Sequence, residues 1–354
     1  MSGFLTKSDE TVRVRFGAGL RHSIADEVAR LGATHALVLS TPQQSNSALE
    51  LAEKLGSAAV GVFCRATMHT PVDVTEQAVA HTQETGADCL VSIGGGSTTG
   101  LGKAIALRTG LPQIVIPTTY AGSEATPILG QTENGVKTTL TDARVLPQVI
   151  LYDPELVSGL PVGMTVTSAL NAMAHAAEAL YAPDRTEASD ALAIEGLRAF
   201  ADGLPQVIQS PGDIAAREAT LRGAWACGTV LGQVGMALHH KLCHTLGGTF
   251  DLPHADTHAI VLPHAVSYNA RAAAAALKPV TDIFDGPGPG RALHRFAQKV
   301  NAPLALRDLG LREADLDRAA TLATSRPYPN PQPVTREDIR ALLQAAWAGE
   351  TPAN

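Results

Sequence analysis

Five short apolar runs in the first 120 residues alternate with helical patterns, and this alternation restricts the architecture more than any other feature of the chain. Val12–Phe16, His35–Ser40, Ala59–Cys64, Asp88–Ile93 and Gln113–Pro117 are rich in Val, Ile and Leu, which predicts strands. Leu20–Leu31, Ser45–Leu55, Val72–Thr85 and Thr98–Thr109 carry helical periodicity between them. Strands separated by helices require right-handed crossovers and a parallel sheet covered on both faces. Gln148–Tyr152 reads as a last strand rejoining that sheet, after a hairpin-like segment over Gly130–Leu140. From Pro161 onward only helical patterns remain: Val166–Tyr181, Ala188–Leu204, Asp213–Leu231, Gly232–Leu246, His264–Ala276, Gly290–Val300, Glu313–Thr324 and Thr335–Ala348. The stretch DPELVSGLP (Asp153–Pro161) punctuates the change, so residues 1–156 are expected to form an α/β domain and residues 157–354 an all-α domain.

A chain of 354 residues suits two domains, because single cores stop growing near roughly 250–300 residues. Charged residues are 17% of the total and the net charge is −7, with no Lys/Arg cluster, which excludes a general nucleic-acid binder. Aromatics are only 4%, so the core must come from aliphatic strands and closely packed small-residue helices. Cys64, Cys89, Cys227 and Cys243 are scattered without a CxxC pair. Cys64 and Cys89 border apolar runs and are expected to be inert core thiols in a reducing cytoplasm. The first ten residues hold no apolar leader and no stretch is long enough to span a bilayer, so a soluble, cytoplasmic protein without membrane partners is expected.

Gly94-Gly95-Gly96-Ser97 follows the strand DCLVSI and opens a helix. There, backbone N–H groups can approach a phosphate while the helix N-terminus favours its charge. A glycine turn needed only for packing is the alternative. GxGxxG is absent, yet the placement makes the first domain Rossmann-like, a parallel sheet that binds NADH or NADPH. Thr118 and Thr119 follow the next strand at the carboxyl edge, where α/β sheets hold ligands. At the end of the second strand, where a carboxylate selects NAD, the chain reads Ser40-Thr41-Pro42-Gln43-Gln44. Thr41 repels no 2′-phosphate and no neighbouring Arg in that segment would hold one, so the choice of coenzyme stays open.

Six of the twelve histidines fall between His239 and His264. His240 and His244 are four apart, as are Asn171 and His175, so each pair shares a helix face. His254 follows Pro253. Three imidazoles plus a carboxylate would suit a divalent transition metal, but here the fourth member is an amide. The set either holds metal weakly or acts on a substrate directly. His239 and His264 read as structural more than functional, and His22, His35, His69, His81 and His294 as satisfied core residues. Glu178, one turn past His175, reads as a salt-bridge or supporting group.

Taken in order, these segments resemble the iron-containing (group III) alcohol dehydrogenase superfamily over nearly the whole chain. Phe16–Gly19 is similar to its entry turn, GGGSTTGLGK (Gly94–Lys103) to its GGGSxxDxxK loop, and PTTYAGSEAT (Pro117–Thr126) to its PTTxGTGSExT segment. Lys137 and LYDP (Leu151–Pro154) match the following lysine and DP turn. HHKLCHTLGG and LPHADTHAIVLPH match its two histidine motifs. Three departures resemble its maleylacetate reductase branch: Asn171 where the superfamily has a metal-binding Asp, Gly100 where it has the Asp of GGGSxxD, and a PTT segment one residue short. Tyr328–Thr335 resembles the same branch.

That resemblance implies NAD(P)H-dependent reduction of the C=C bond of maleylacetate to 3-oxoadipate, without metal, in aromatic-compound degradation by a homodimer. It implies cofactor contacts at Gly94, Gly95, Gly96, Ser97, Thr118, Thr119, Ser123, Lys137 and Thr41. Asn171, His175, His240, Lys241, His244 and His254 would serve a small dicarboxylate, with His244 or His240 as proton donor. The rival expectation is a metal-dependent alcohol or glycerol dehydrogenase that tolerates Asn171.

Overall fold

The computed structural model describes residues 3–7 and 10–353, with side chains from Val12 onward. The chain divides into two compact units, Met1–Leu160 and Pro161–Asn354. Strands β1 (Gly3–Lys7), β2 (Glu10–Phe16), β3 (Ala36–Leu39), β4 (Ala59–Phe63), β5 (Cys89–Gly94), β6 (Gln113–Pro117), β7 (Ile128–Glu133), β8 (Val136–Thr141) and β9 (Val149–Tyr152) all lie in the first unit. Its helices are α1 (Ile24–Arg30), α2 (Ser45–Leu55), α3 (Val72–Glu84), α4 (Gly96–Thr109) and α5 (Pro154–Ser158).

The main sheet runs β1-β2-β9-β6-β5-β3-β4, and β7 and β8 form a separate antiparallel hairpin. Six strands are parallel as expected; β1, which the sequence pattern did not announce, pairs antiparallel on β2 at the edge. Strand residues alternate between two apolar layers. Ala36, Val38, Val91 and Ile93 pack with Ile24, Val28, Leu51 and Leu55 of α1 and α2. Leu37, Leu39 and Leu90 pack with Ala78, Leu101 and Ile105 of α3 and α4. Burial on both faces explains the unbroken apolar runs that made these strands readable.

The division falls after Leu160 and not after residue 156, because α5 is tied to the first unit. Buried Asp153 caps it through the Glu155 N–H at 3.1 Å and also accepts from the Gly19 N–H at 3.0 Å and from Arg21 Nη1 at 2.9 Å.

Among the described residues the second unit is helical throughout: α6 (Val162–Ala179), α7 (Glu187–Gln209), α8 (Ile214–Leu231), α9 (Leu238–Phe250), α10 (His254–Asn269), α11 (Ala274–Phe284), α12 (Pro289–Lys299), α13 (Leu316–Thr324) and α14 (Arg336–Ala348). Helix α6 is buried almost all round, as a central helix must be. Helices α7 and α8 approach so closely that a Cβ on Gly196 would lie 2.6 Å from Cys227 Sγ, and one on Gly203 would lie 3.0 Å from Thr220 Cγ2. Small residues thus do the packing that the aromatic-poor composition required.

Two helix expectations fail. Gly232–Ala237 is a turn, so α9 starts at Leu238 and not at Gly232. The expected helix His264–Ala276 straddles the end of α10 and the start of α11. Pro263 sits inside α10, buried well enough that the lost N–H bond is tolerated. No described helix is long and apolar enough to cross a membrane.

Candidate active site

In the second unit, α6 presents Asn171, His175 and Glu178 along one face, at spacings of four and three. Glu178 is 1% exposed, and both its oxygens are used. Oε1 accepts the His239 N–H at 2.7 Å, and Oε2 accepts the His240 N–H at 3.4 Å and faces His240 Nδ1 at 2.5 Å. Ala237, the N-cap residue of α9, supplies no side-chain cap. Glu178 caps that helix from its neighbour, where a negative charge also meets the positive end of the helix dipole. A carboxylate facing Nδ1 assigns the proton there, which leaves His240 Nε2 to meet His175 Nδ1 at 3.0 Å. The result is a buried line, Glu178–His240–His175, able to share one added proton.

The other histidines extend this line in both directions. His244 and His254 are exposed. The His244 ring lies 6.0 Å from that of His240, and the His254 ring 4.3 Å from that of His258. Deeper in, His239 Nε2 and His258 Nδ1 are 2.9 Å apart, with Cys243 Sγ at 3.6 Å from His239 Nε2. Burial, then the neighbouring imidazoles, push His239 and His258 well below the ordinary histidine range. The inner pair is therefore neutral, while its outer ring nitrogens have no partner among the described residues.

Asn171 Oδ1 is buried without a hydrogen-bond partner among the described residues. Among the described residues, the His/Cys/Asp/Glu set whose ligand atoms converge within 4.8 Å is His239, Cys243 and His258, and not the expected quartet. A divalent ion at Asn171, His175, His240 and His254 would have no anionic ligand of its own and would have to part the His175–His240 contact. Three neutral imidazoles and an amide would therefore hold such an ion more weakly than a set with a carboxylate.

Lys241 is half-buried and makes no described contact with the histidines. Of the five histidines expected in the core, only His294 is buried; His22, His35 and His69 are exposed and His81 is intermediate. They sit in turns or beside surface carboxylates, as His35 does beside Asp88 at 3.6 Å. His258 escaped the sequence reading. Its partner signal, four residues after His254, is visible only once α10 is known to begin at His254.

In the first unit, Gly95 is the N-cap residue of α4, whose first turn holds no acid. A Cβ on Gly94 would lie 2.3 Å from Thr98 Oγ1, and one on Gly95 2.9 Å from Thr119 Cγ2. The Thr118–Thr119 turn is therefore laid directly on the glycine loop, and the Thr118 N–H bonds the Gly94 carbonyl at 3.1 Å. Gln44 Nε2 donates to Thr118 Oγ1 at 2.8 Å, joining the segment that holds Thr41 to the same turn. Gly96 and Ser97 face outward, and Ser123 Oγ has no partner. Glycine at 100 has a steric reason, since a Cβ there would meet Thr70 Oγ1 at 2.4 Å. Lys137 lies exposed on the β7–β8 hairpin, with no contact to the glycine loop among the described residues.

Lys103, not singled out by sequence, anchors this site. Its buried ammonium donates to the carbonyls of Ser123 at 2.5 Å, Thr126 at 2.7 Å and Ile128 at 2.9 Å. Burial pulls it down to about 7, opposed by Glu124. A pyrophosphate suits the whole: N–H groups at a helix start, no acid in its first turn, and space that only glycine leaves open.

Residues 11–154 match the family described as iron-containing alcohol dehydrogenase, and residues 165–347 match its C-terminal domain, Fe-containing alcohol dehydrogenase family, C-terminal. A protein named maleylacetate reductase from a Rhizobium strain is 58% identical over 96% of this chain and 97% of its own length. Another so named, from Burkholderia cepacia, is 51% identical over 100% of both. The crystal structure of maleylacetate reductase from Agrobacterium tumefaciens superposes with a TM-score of 0.96 at 57% identity, covering 99% of this chain and 100% of that one.

Proposed function

The chain belongs to the iron-containing alcohol dehydrogenase family, in its maleylacetate reductase branch, and on that premise we propose that it reduces the C2=C3 bond of maleylacetate with NAD(P)H to give 3-oxoadipate. The observation that carries the reading is the Glu178–His240–His175 line beside a neutral Asn171. When bound, NAD(P)H supplies a hydride to C2. The electrons of the double bond then move onto the C4 oxygen as an enolate, and a proton at C3 completes the product.

The protein's task is to hold that enolate and deliver that proton. Glu178 keeps a proton on His240 Nδ1 and stabilises an imidazolium. A second proton on His240 Nε2 donates to His175 Nδ1, which leaves the His175 Nε2–H as a donor for the enolate oxygen. Removing such a donor from an oxyanion site costs about 2.7–4 kcal/mol of barrier lowering. His244, exposed beside His240, would exchange protons with solvent, and His254, exposed beside His258, would help to attract a dianion. A conjugated enone is already polarised by its ketone and needs no Lewis acid, whereas an unactivated carbonyl does. On the first unit, the Gly95–Ser97 N–H groups hold the pyrophosphate, and Thr118, Thr119 and Ser123 supply neighbouring polar groups.

The branch resemblance supports action as a homodimer in the cytoplasm, which light scattering and cell fractionation would test. The deciding experiment assays NADH and NADPH oxidation with maleylacetate before and after exhaustive chelation. Unchanged turnover is expected. Activity lost to chelator and restored by Fe²⁺ or Zn²⁺ would favour a metal-dependent alcohol dehydrogenase instead, as would turnover of simple alcohols in place of maleylacetate.

A further inference from the structure

We infer that Arg65 is the residue that receives the 2′-phosphate of NADPH, with Thr41 beside it, an inference that rests on the NAD(P)H reading above. In parallel α/β sheets the adenosine ribose lies at the carboxyl end of the strand next to the phosphate-binding turn, where an acid selects NAD and an arginine accepts NADP. Here that strand is β3, neighbour of β5. The segment after it is joined to the phosphate loop, because Gln44 Oε1 lies 2.9 Å from where a Cβ on Gly94 would stand. Neither the 3-10 turn Pro42–Gln44 nor the first turn of α2 carries an acid.

The sequence around Thr41 offers no arginine, but the sheet does. The Ser40 N–H bonds the Phe63 carbonyl at 3.1 Å and the Ala66 N–H bonds the Ser40 carbonyl at 3.1 Å. These two bonds bracket Cys64 and Arg65, so the Arg65 backbone is one residue from a bonded partner of Ser40. Its side chain is exposed, with the guanidinium 5.7 Å over the Phe63 ring and a 3.3 Å hydrogen bond to the neutral Gln77 Oε1. The other arginines of the first unit, Arg13, Arg15, Arg21, Arg30, Arg108 and Arg144, each have a carboxylate partner. Arg65 has none among the described residues. A guanidinium at this strand end with no carboxylate partner among the described residues, held only by Gln77 and the Phe63 ring, has the fork geometry that a phosphate monoester takes.

The test measures kcat/KM for NADPH and NADH in wild type, Arg65→Gln and Thr41→Asp. Both substitutions should lower the NADPH/NADH ratio, Arg65→Gln by roughly 10- to 100-fold, as expected for loss of a charge-assisted contact. Raising the ionic strength should lower the wild-type ratio and leave that of Arg65→Gln nearly flat. A ratio within about twofold of wild type in Arg65→Gln overturns the assignment. Calorimetry with adenosine 2′,5′-bisphosphate and with AMP reads the same site without turnover. If wild type reduces no maleylacetate yet binds the bisphosphate more tightly than AMP, and Arg65→Gln abolishes the difference, the proposed reaction fails while this assignment stands. If wild type binds the two equally, the assignment fails whatever the reaction.

Discussion

Lowering the pH from 8 to 5 should destabilise the second unit, and His264 sets a calculable part of the loss. His264 is 3% exposed, and burial first, then His294 at a ring distance of 6.3 Å, push its imidazole down to about 4. In the unfolded chain it takes up its proton near about 6.5. Between those values the unfolded state binds more protons, so stability is full above about 6.5 and falls as the pH drops toward 4. The complete shift, about 2.5 units at 1.36 kcal/mol each, amounts to about 3 kcal/mol. At pH 5 the same linkage relation gives about 2 kcal/mol, or roughly 4–8 °C in Tm for a unit of this size. His239 and His258, held well below the ordinary range by burial, add losses of the same sign. The assay is urea unfolding followed by near-ultraviolet circular dichroism at pH 8 and pH 5, for wild type and His264→Gln. Whatever its stability at pH 8, the variant should lose about 2 kcal/mol less than wild type between the two conditions. An equal loss in both proteins would show that His264 does not titrate as its burial requires.

Three substitutions probe the site itself. Glu178→Gln removes the charge-assisted bond to His240 and should cut kcat/KM for maleylacetate roughly 10- to 100-fold, with the KM for NADH unchanged; steady-state kinetics check both, and a matching rise in the NADH KM would point to misfolding instead. Asn171→Asp should make activity dependent on added Fe²⁺ or Zn²⁺ and sensitive to chelator, measured by titrating each ion into the stripped variant. Gly95→Ala places a Cβ 2.9 Å from Thr119 Cγ2 and should raise the cofactor KM roughly tenfold or more, read from NADH saturation curves.

Much of this fold was legible because burial on both faces writes itself into sequence as apolar runs. β5, Cys89–Gly94, is buried along its whole length and bounded by the glycine turn, so nothing competed with the strand reading. β1 gave no such signal; GFLTK is short and mixed in polarity, and it owes its place to pairing with β2. The helix α10 was missed as a unit, because Pro263 lies inside it while Pro253 precedes its first residue. Without that helix, the relation of His258 to His254 on one face had no frame. Spacing did pair Asn171 with His175 on α6 and His240 with His244 on α9, since residues four apart share a helix face. Lys103 closed a recognisable motif without its role being visible, and Arg65 had no local mark. Each acts through residues distant in sequence, the carbonyls of Ser123–Ile128 for one and the β3 strand end for the other.

Charge balance ties the altered residue to the chemistry. In the superfamily pattern an aspartate stands at position 171, and with Glu178 it would set two negative charges against a divalent ion. With Asn171 in its place one carboxylate remains, buried behind His240 and bonded to its Nδ1. A divalent ion would then carry an excess positive charge in a site nearly closed to water, which desolvation penalises. One imidazolium shared by His240 and His175 balances Glu178 alone. The same substitution that weakens a metal site therefore fits a protonated histidine pair, and such a pair offers both a donor for an enolate oxygen and a proton to give up. The inner His239–His258 pair, kept neutral, leaves that single positive charge to the line that His244, with its ring 6.0 Å from that of His240, connects to solvent.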